Sequence, residues 1–237
     1  MSAAAAPTIH RPTGAARPPH LWSRHGVIWG VVLLAFGFVL GLTVTTLGAA
    51  STGELGLDRT MAADRFPALV DLAKFVNVAL GPGLAATILA VVCVALWALQ
   101  SLRTAVVFGA LTSIGWLSSL VGKVVIARPR PPQSIHPLVV ETARDSFPSG
   151  HTSFAAAFVA ATVACLWLAG RRVRAAAWIG AAVVVVVALT RLVLGAHFLA
   201  DVVAAPLFAF GAVALVTGLW RTGELPWLSR IARVDHR

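Results

Sequence analysis

Charge is what this sequence has least of. Only 12% of its 237 residues are Asp, Glu, Lys or Arg, 58% are hydrophobic, and mean hydropathy is +0.85. A water-soluble domain carries about twice that charged fraction. Such scarcity excludes a surface solvated all round and makes lipid the solvent for most of the chain. Cysteine is nearly missing: Cys93 and Cys165 sit inside apolar runs, outside any CxxC or Cys/His cluster. That excludes a disulfide framework and a thiolate metal site, and leaves both as small hydrophobes. Acidic residues number 9 against 19 basic ones, a net charge of +10. The surplus does not point to nucleic acid, because the basic residues fall in short clusters between apolar runs, as they do in cytoplasmic loops. Tyrosine is absent, from which nothing follows.

What is abundant is long apolar sequence. A membrane-crossing helix needs about 20 apolar residues. Six segments qualify: roughly 27–47, 80–100, 104–122, 152–170, 175–195 and 198–220. The sequence therefore predicts an all-α, six-span membrane bundle. Residues 1–26 are rich in Ala, Pro, Arg and His without periodicity and read as a disordered basic tail. Residues 221–237 form a second basic tail. The motif "LGAAS" at 47–51 resembles a signal-peptidase site, but the apolar run before it exceeds a signal h-region, so the first span is read as uncleaved.

Arginines decide the orientation. Arg11, Arg17 and Arg24 precede the first span, Arg103 lies in the second turn, "RRVR" occupies 171–174, and Arg221, Arg230, Arg233 and Arg237 follow the last span. With six spans all four groups share one side. The positive-inside rule makes that side cytoplasmic, along with both termini. The opposite side receives 48–79, 123–151 and the link at 196–197. Within 59–79, Asp71, Lys74 and Asn77 recur at helical spacing opposite Leu69, Leu72, Val76 and Leu80. This predicts an amphipathic helix, either lying at the interface or packed on the bundle.

Three polar islands stand at the outer ends of these spans: "KVVIARPRP" at 123–131, "PSGH" at 148–151, and "TRLVLGAHFLAD" at 190–201. They are remote in sequence, but the topology brings them to one depth. Lys123, Arg130 and Arg191 are cations near the bilayer, where ionisable groups are costly and usually functional. Arginine's planar fork suits phosphate. Pro148 stops the chain before the fourth span, which starts at Ser149 or Gly150. The free N–H groups and positive dipole end of its first turn make an anion site, and Gly150 allows close backbone approach. His197 and Asp201 are four apart, so on a helix they share a face. The carboxylate would fix one ring nitrogen and free the other as nucleophile or base, with His151 supplying a second proton-transfer group. Each feature alone has a plainer structural reading; their agreement in depth and order is what points to phosphoryl transfer.

These residues resemble the type 2 phosphatidic acid phosphatase (PAP2) family, whose motifs are K-x6-R-P, P-S-G-H and S-R-x5-H-x3-D. Lys123, Arg130 and Pro131 match the first. Pro148, Ser149, Gly150 and His151 match the second. Arg191, His197 and Asp201 match the third, with Thr190 where the family usually has serine. The resemblance covers roughly 27–220 and implies the helical core shared with vanadium haloperoxidases. It implies that His197 is the nucleophile, Asp201 its orienter and His151 the acid for the leaving oxygen. Lys123, Arg130, Ser149, Gly150 and Arg191 would hold the phosphoryl oxygens, with no metal or other cofactor. The implied substrate is a lipid phosphate or diphosphate: phosphatidic acid, phosphatidylglycerol phosphate or a polyprenyl diphosphate such as undecaprenyl diphosphate. The implied place is the outer face of a cell membrane, and the Ala- and Arg-rich composition is associated with bacteria. A phosphotransferase shares every motif. A lipid-phosphate binding or transport protein needs the cations but not the His197–Asp201 pair.

Overall fold

In the computed structural model of the chain, residues 21–141 and 145–222 are described. They form eight α-helices: α1 Leu21–Leu47, α2 Glu54–Ala63, α3 Pro67–Ala79, α4 Pro82–Leu99, α5 Leu102–Ile126, α6 Gly150–Leu168, α7 Arg174–Val193 and α8 Leu199–Thr222. No strand occurs among the described residues. Six helices are long and apolar enough to cross a membrane: α1, α4, α5, α6, α7 and α8. These are the six expected segments. Most of the expected tails, 1–20 and 223–237, lies outside the described residues. Residues 21–26, expected to be tail, are instead the first turns of α1. At 27 residues α1 is about 40 Å long, more than the ~30 Å of a hydrocarbon core, so its first turns extend past the apolar stretch.

The centre of the bundle is α5, α6 and α8, each packed on the other two, with α1 laid along α8, α4 on α5 and α7 on α6. Without a hydrophobic gradient between helices in lipid, close approach of small residues drives such packing. Ala155, Ala156, Ala157 and Ala161 of α6 and Ala204, Ala205 and Ala209 of α8 are accordingly buried. Larger side chains fill what remains: Trp116 meets Phe154 edge-on at 5.0 Å, and Phe208 takes Phe38 and Phe147 on its edges. The outward flanks are apolar, as Phe36, Val91, Trp97 and Val185 show, so the bundle presents oil to its surroundings.

Alternation of the six spans puts the end of α5, the start of α6, the end of α7 and the start of α8 at one face, together with α2 and α3. The segment expected as one amphipathic helix over 59–79 is two helices, broken at 64–66 before Pro67, which cannot continue a helix but starts one well. α3 packs on α7 through Ala73 and Val76. Asp71 and Lys74 are exposed as expected, but Leu72 is exposed too, and Asn77 turns inward instead of joining the polar face.

Three segments at this end of the bundle are laced together by backbone carbonyls. Leu138 donates its N–H to Leu194 O at 2.9 Å. Arg65 reaches from the α2–α3 break to Val193 O at 3.2 Å and Ile135 O at 3.4 Å. The α7–α8 link turns at Gly195 with φ +66°, where a Cβ would be strained and would lie 3.1 Å from Ile135 Cδ1. This glycine lets the chain reverse within a few residues and present His197 to the loop from α5.

Candidate active site

His197 is 2% exposed and sits just before α8, so its partnership with Asp201 is not the shared helix face expected from the i,i+4 spacing but a helix-start arrangement. Asp201 Oδ2 accepts the Phe198 N–H at 2.9 Å and faces His197 Nδ1 at 3.5 Å, a long contact without hydrogen-bond alignment. On the other side of the ring, Nε2 faces Arg130 Nη1 at 3.3 Å. A guanidinium only donates, so this contact requires the lone pair on Nε2 and puts the ring proton on Nδ1, toward the carboxylate. Burial, with the charges of Arg130 and Arg191, pulls the His197 pKa down to about 4 against the opposing pull of Asp201. The ring is thus neutral at physiological pH with the lone pair of Nε2 facing a cation.

Arg130 also donates to Ala196 O at 2.8 Å, which fixes it beside the ring. Arg191, on the last turn of α7, is fully buried. Its Nη1 donates to Asn77 Oδ1 at 2.7 Å, its Nη2 to Glu141, and its Nε has no partner. His151, on the first turn of α6, is bound through Nε2 to the backbone carbonyl of Asn77 at 3.1 Å. Lys123 donates to Asp145 O at 2.8 Å. Ser149 uses its backbone N–H on Asp201 O at 3.0 Å, tying the start of α6 to α8.

The N–H groups of Gly150, His151 and Thr152 begin α6 and have no carbonyl one turn back. A Cβ at Gly150 would meet no protein atom within 4 Å, and its backbone is ordinary. The fold therefore does not require glycine there. Gly150→Ala is expected to fold with unchanged thermal stability and lose activity by at least about tenfold, because the methyl fills space an oxygen would take. Phosphate release and thermal unfolding, measured side by side, check both halves.

Four residues of this site were not singled out from sequence. Arg128 is the first. It is 2% exposed, donates to Asp201 Oδ1 at 2.8 Å, forms an ion pair with Glu54 and lies 4.4 Å over the Phe198 ring. Glu54, on the first turn of α2, also accepts from Ala200 N–H at 2.8 Å and Thr52 Oγ1 at 2.9 Å. Together they brace Asp201 from behind. Asn77 and Glu141, on opposite sides of Arg191, are the other two. The usable signal was an acid and an arginine within a few residues of apolar spans.

Asp58, one turn beyond Glu54, is 1% exposed, and neither carboxylate oxygen has a partner. Burial first, then the charges of Glu54 and Asp201, push its pKa up to about 7. The folded chain thus keeps a proton that the unfolded chain has already released above the ordinary carboxylate range. Stability from this group is full at low pH and falls as pH rises toward 7. Asp58→Asn is expected to raise the unfolding temperature by several degrees at pH 8 and by less at pH 5. An equal shift at both pH values contradicts a protonated Asp58.

Comparison with known proteins bears on the family and the fold. Residues 101–223 match the family model described as the PAP2 superfamily. The fold is similar to a crystal structure described as the first transmembrane PAP2 type phosphatidylglycerolphosphate phosphatase from Bacillus subtilis, with TM-score 0.62 and 21% identity, over 83% of this chain and 96% of that one. Among curated proteins none matches significantly.

Proposed function

The chain belongs to the PAP2 superfamily, and from that premise we propose that it is an integral membrane phosphatase that hydrolyses a lipid phosphate or diphosphate through a phosphohistidine at the extracytoplasmic face. One observation carries the reading: His197, Arg130, Arg191, His151 and the open mouth of α6 come from segments far apart in sequence and converge at one end of the bundle, with His197 Nε2 turned toward Arg130.

The Nε2 lone pair of His197 attacks phosphorus and the P–O bond to the lipid breaks. His151 gives its proton to the leaving oxygen. Water then attacks the phosphohistidine, His151 now accepting the water's proton, and phosphate leaves. Asp201 stabilises the ring as positive charge develops on it. Lys123, Arg130, Arg191, the Ser149 hydroxyl and the Gly150 backbone N–H take the charge on the equatorial oxygens. The similar B. subtilis protein is a phosphatidylglycerolphosphate phosphatase, which makes phosphatidylglycerol phosphate the first substrate to try; phosphatidic acid and a polyprenyl diphosphate have the same reacting group.

The test is phosphate release from short-chain forms of these three lipids by the purified protein in detergent, with and without EDTA and with vanadate. Turnover that survives EDTA and is inhibited by vanadate is expected, since five-coordinate vanadate resembles the transition state. Loss in EDTA restored by Mg²⁺ contradicts the mechanism, and transfer to an added alcohol without phosphate release shows a phosphotransferase instead.

Sidedness is tested with single cysteines at Ser134 and Val173, in a background lacking Cys93 and Cys165. An impermeant thiol reagent is expected to label position 134 but not 173 in intact cells, and both after lysis. The reverse pattern puts the site on the cytoplasmic leaflet.

A further inference from the structure

Glu141 lies on the loop between α5 and α6, and its carboxylate occupies the ring of cations. Oε1 takes Arg191 Nη2, and Oε2 lies 3.9 Å from Arg130 Nη2. His197 and His151 are near enough to act on its charge as well. Burial alone would raise its pKa, but the charges around it, Arg191 first and then Arg130, together outweigh burial and hold it below the ordinary range. The side chain is thus an anion at neutral pH, 21% exposed, bridging the two arginines assigned above to the phosphoryl oxygens. A phosphoryl group bound by the same two forks must take its place.

We infer that Glu141 is a selectivity residue: its carboxylate occupies the phosphoryl site as an internal competitor and admits phosphomonoester or terminal diphosphate groups while rejecting phosphodiesters. The inference rests on the phosphatase reading above. Its logic is charge. A phosphomonoester carries about −1.5 to −2 near pH 7, with three acceptor oxygens. It therefore gains more from Arg130 and Arg191 than the carboxylate it displaces. A phosphodiester carries −1 and has two free oxygens, the same as Glu141, so exchange gains nothing and leaves a carboxylate displaced beside it. The surrounding bilayer consists largely of phosphodiester lipids. A site of bare cations in that setting would be filled by headgroups it cannot use, and an internal anion that holds both forks keeps them out by competition.

The experiment compares dioctanoyl phosphatidic acid, a monoester, with dioctanoyl phosphatidylglycerol, a diester. Each is titrated calorimetrically into the full-length protein in detergent, and the diester is also tested as an inhibitor of phosphate release. Wild type is expected to bind the monoester and to ignore the diester. Glu141→Gln is expected to tighten diester binding by about tenfold or more, once no carboxylate competes for the two forks, and to make the diester a competitive inhibitor. Glu141→Asp should keep the discrimination. Parallel weakening of both lipids with a matching fall in kcat would show that Glu141 only orients Arg191, and would overturn the inference. So would a wild type that binds the diester as tightly as the monoester, a result that needs no variant to fold. Failure of wild type to bind or turn over any lipid phosphate would instead remove the phosphatase reading itself.

Discussion

His197→Ala is expected to reduce phosphate release to background, a loss on the order of 10⁶-fold, as when a covalent nucleophile is removed from a hydrolase. The reason is local. Among the described residues of the cation ring, His197 presents its Nε2 lone pair to a guanidinium, whereas the His151 Nε2–H is donated to Asn77 O. Asp201→Asn should be milder, retaining measurable turnover after a loss of up to about 10⁴-fold, because the ring stays in place while its tautomer and developing charge lose support. The pH profile adds an independent check. With its pKa at about 4, His197 keeps the Nε2 lone pair down to mildly acidic pH. Its protonation therefore removes activity only as pH falls toward 4. Thermal unfolding of His197→Ala separates lost chemistry from lost fold, and substantial phosphate release by a folded His197→Ala protein would sink the assignment.

The spans and the ring of candidate residues were legible because both are written in local pattern. Apolar length gives the helix, alternation of six helices gives the side, and the three islands then share a depth with no structure at all. "PSGH" was readable as a helix mouth because Pro148 and Gly150 have meanings that hold in any fold. What escaped was everything set by tertiary contact. Arg128 is two residues from Arg130 and chemically identical to it, yet one faces the His197 ring and the other lies behind Asp201. Only the left-handed turn at Ala127 and the path of the loop after it separate those fates. Asn77 sat at correct helical spacing with exposed Asp71 and Lys74, but α3 is rotated on α7 so that it bonds Arg191. Glu54 was one acid in a mixed loop, and nothing local shows that α2 would carry it under the start of α8. The His197–Asp201 pairing was foreseen, but as a helix face. The chain makes it with a turn that begins at Gly195, which places His197 before α8 and beside Arg130 of the loop from α5.

The brace behind Asp201 carries the other large effect, and here on the fold as well as on chemistry. Arg128→Met is expected to cost about 3–5 kcal/mol of stability, the usual result of breaking a buried ion pair from one side. Arg128 sits between two carboxylates, Glu54 and Asp201, both nearly solvent-free, with Asp58 adding a third acid one turn away. Without the guanidinium, at least two buried anions lose their counter-charge, and those that cannot take up a proton repel one another. Glu54→Gln alone should cost less, since it removes a charge and keeps an acceptor for Ala200 N–H. The informative protein is Arg128→Met combined with Glu54→Gln. Removing the cation and one anion together should restore part of the stability, because the remaining imbalance is smaller. It should restore little of the activity, because Asp201 Oδ1 still lacks the donor that holds it toward His197. Thermal unfolding and phosphate release on the two single variants and the double variant separate these outcomes. Recovery of activity in step with stability would mean that Arg128 serves the fold alone, whereas stability regained without turnover makes it a positioning residue for Asp201.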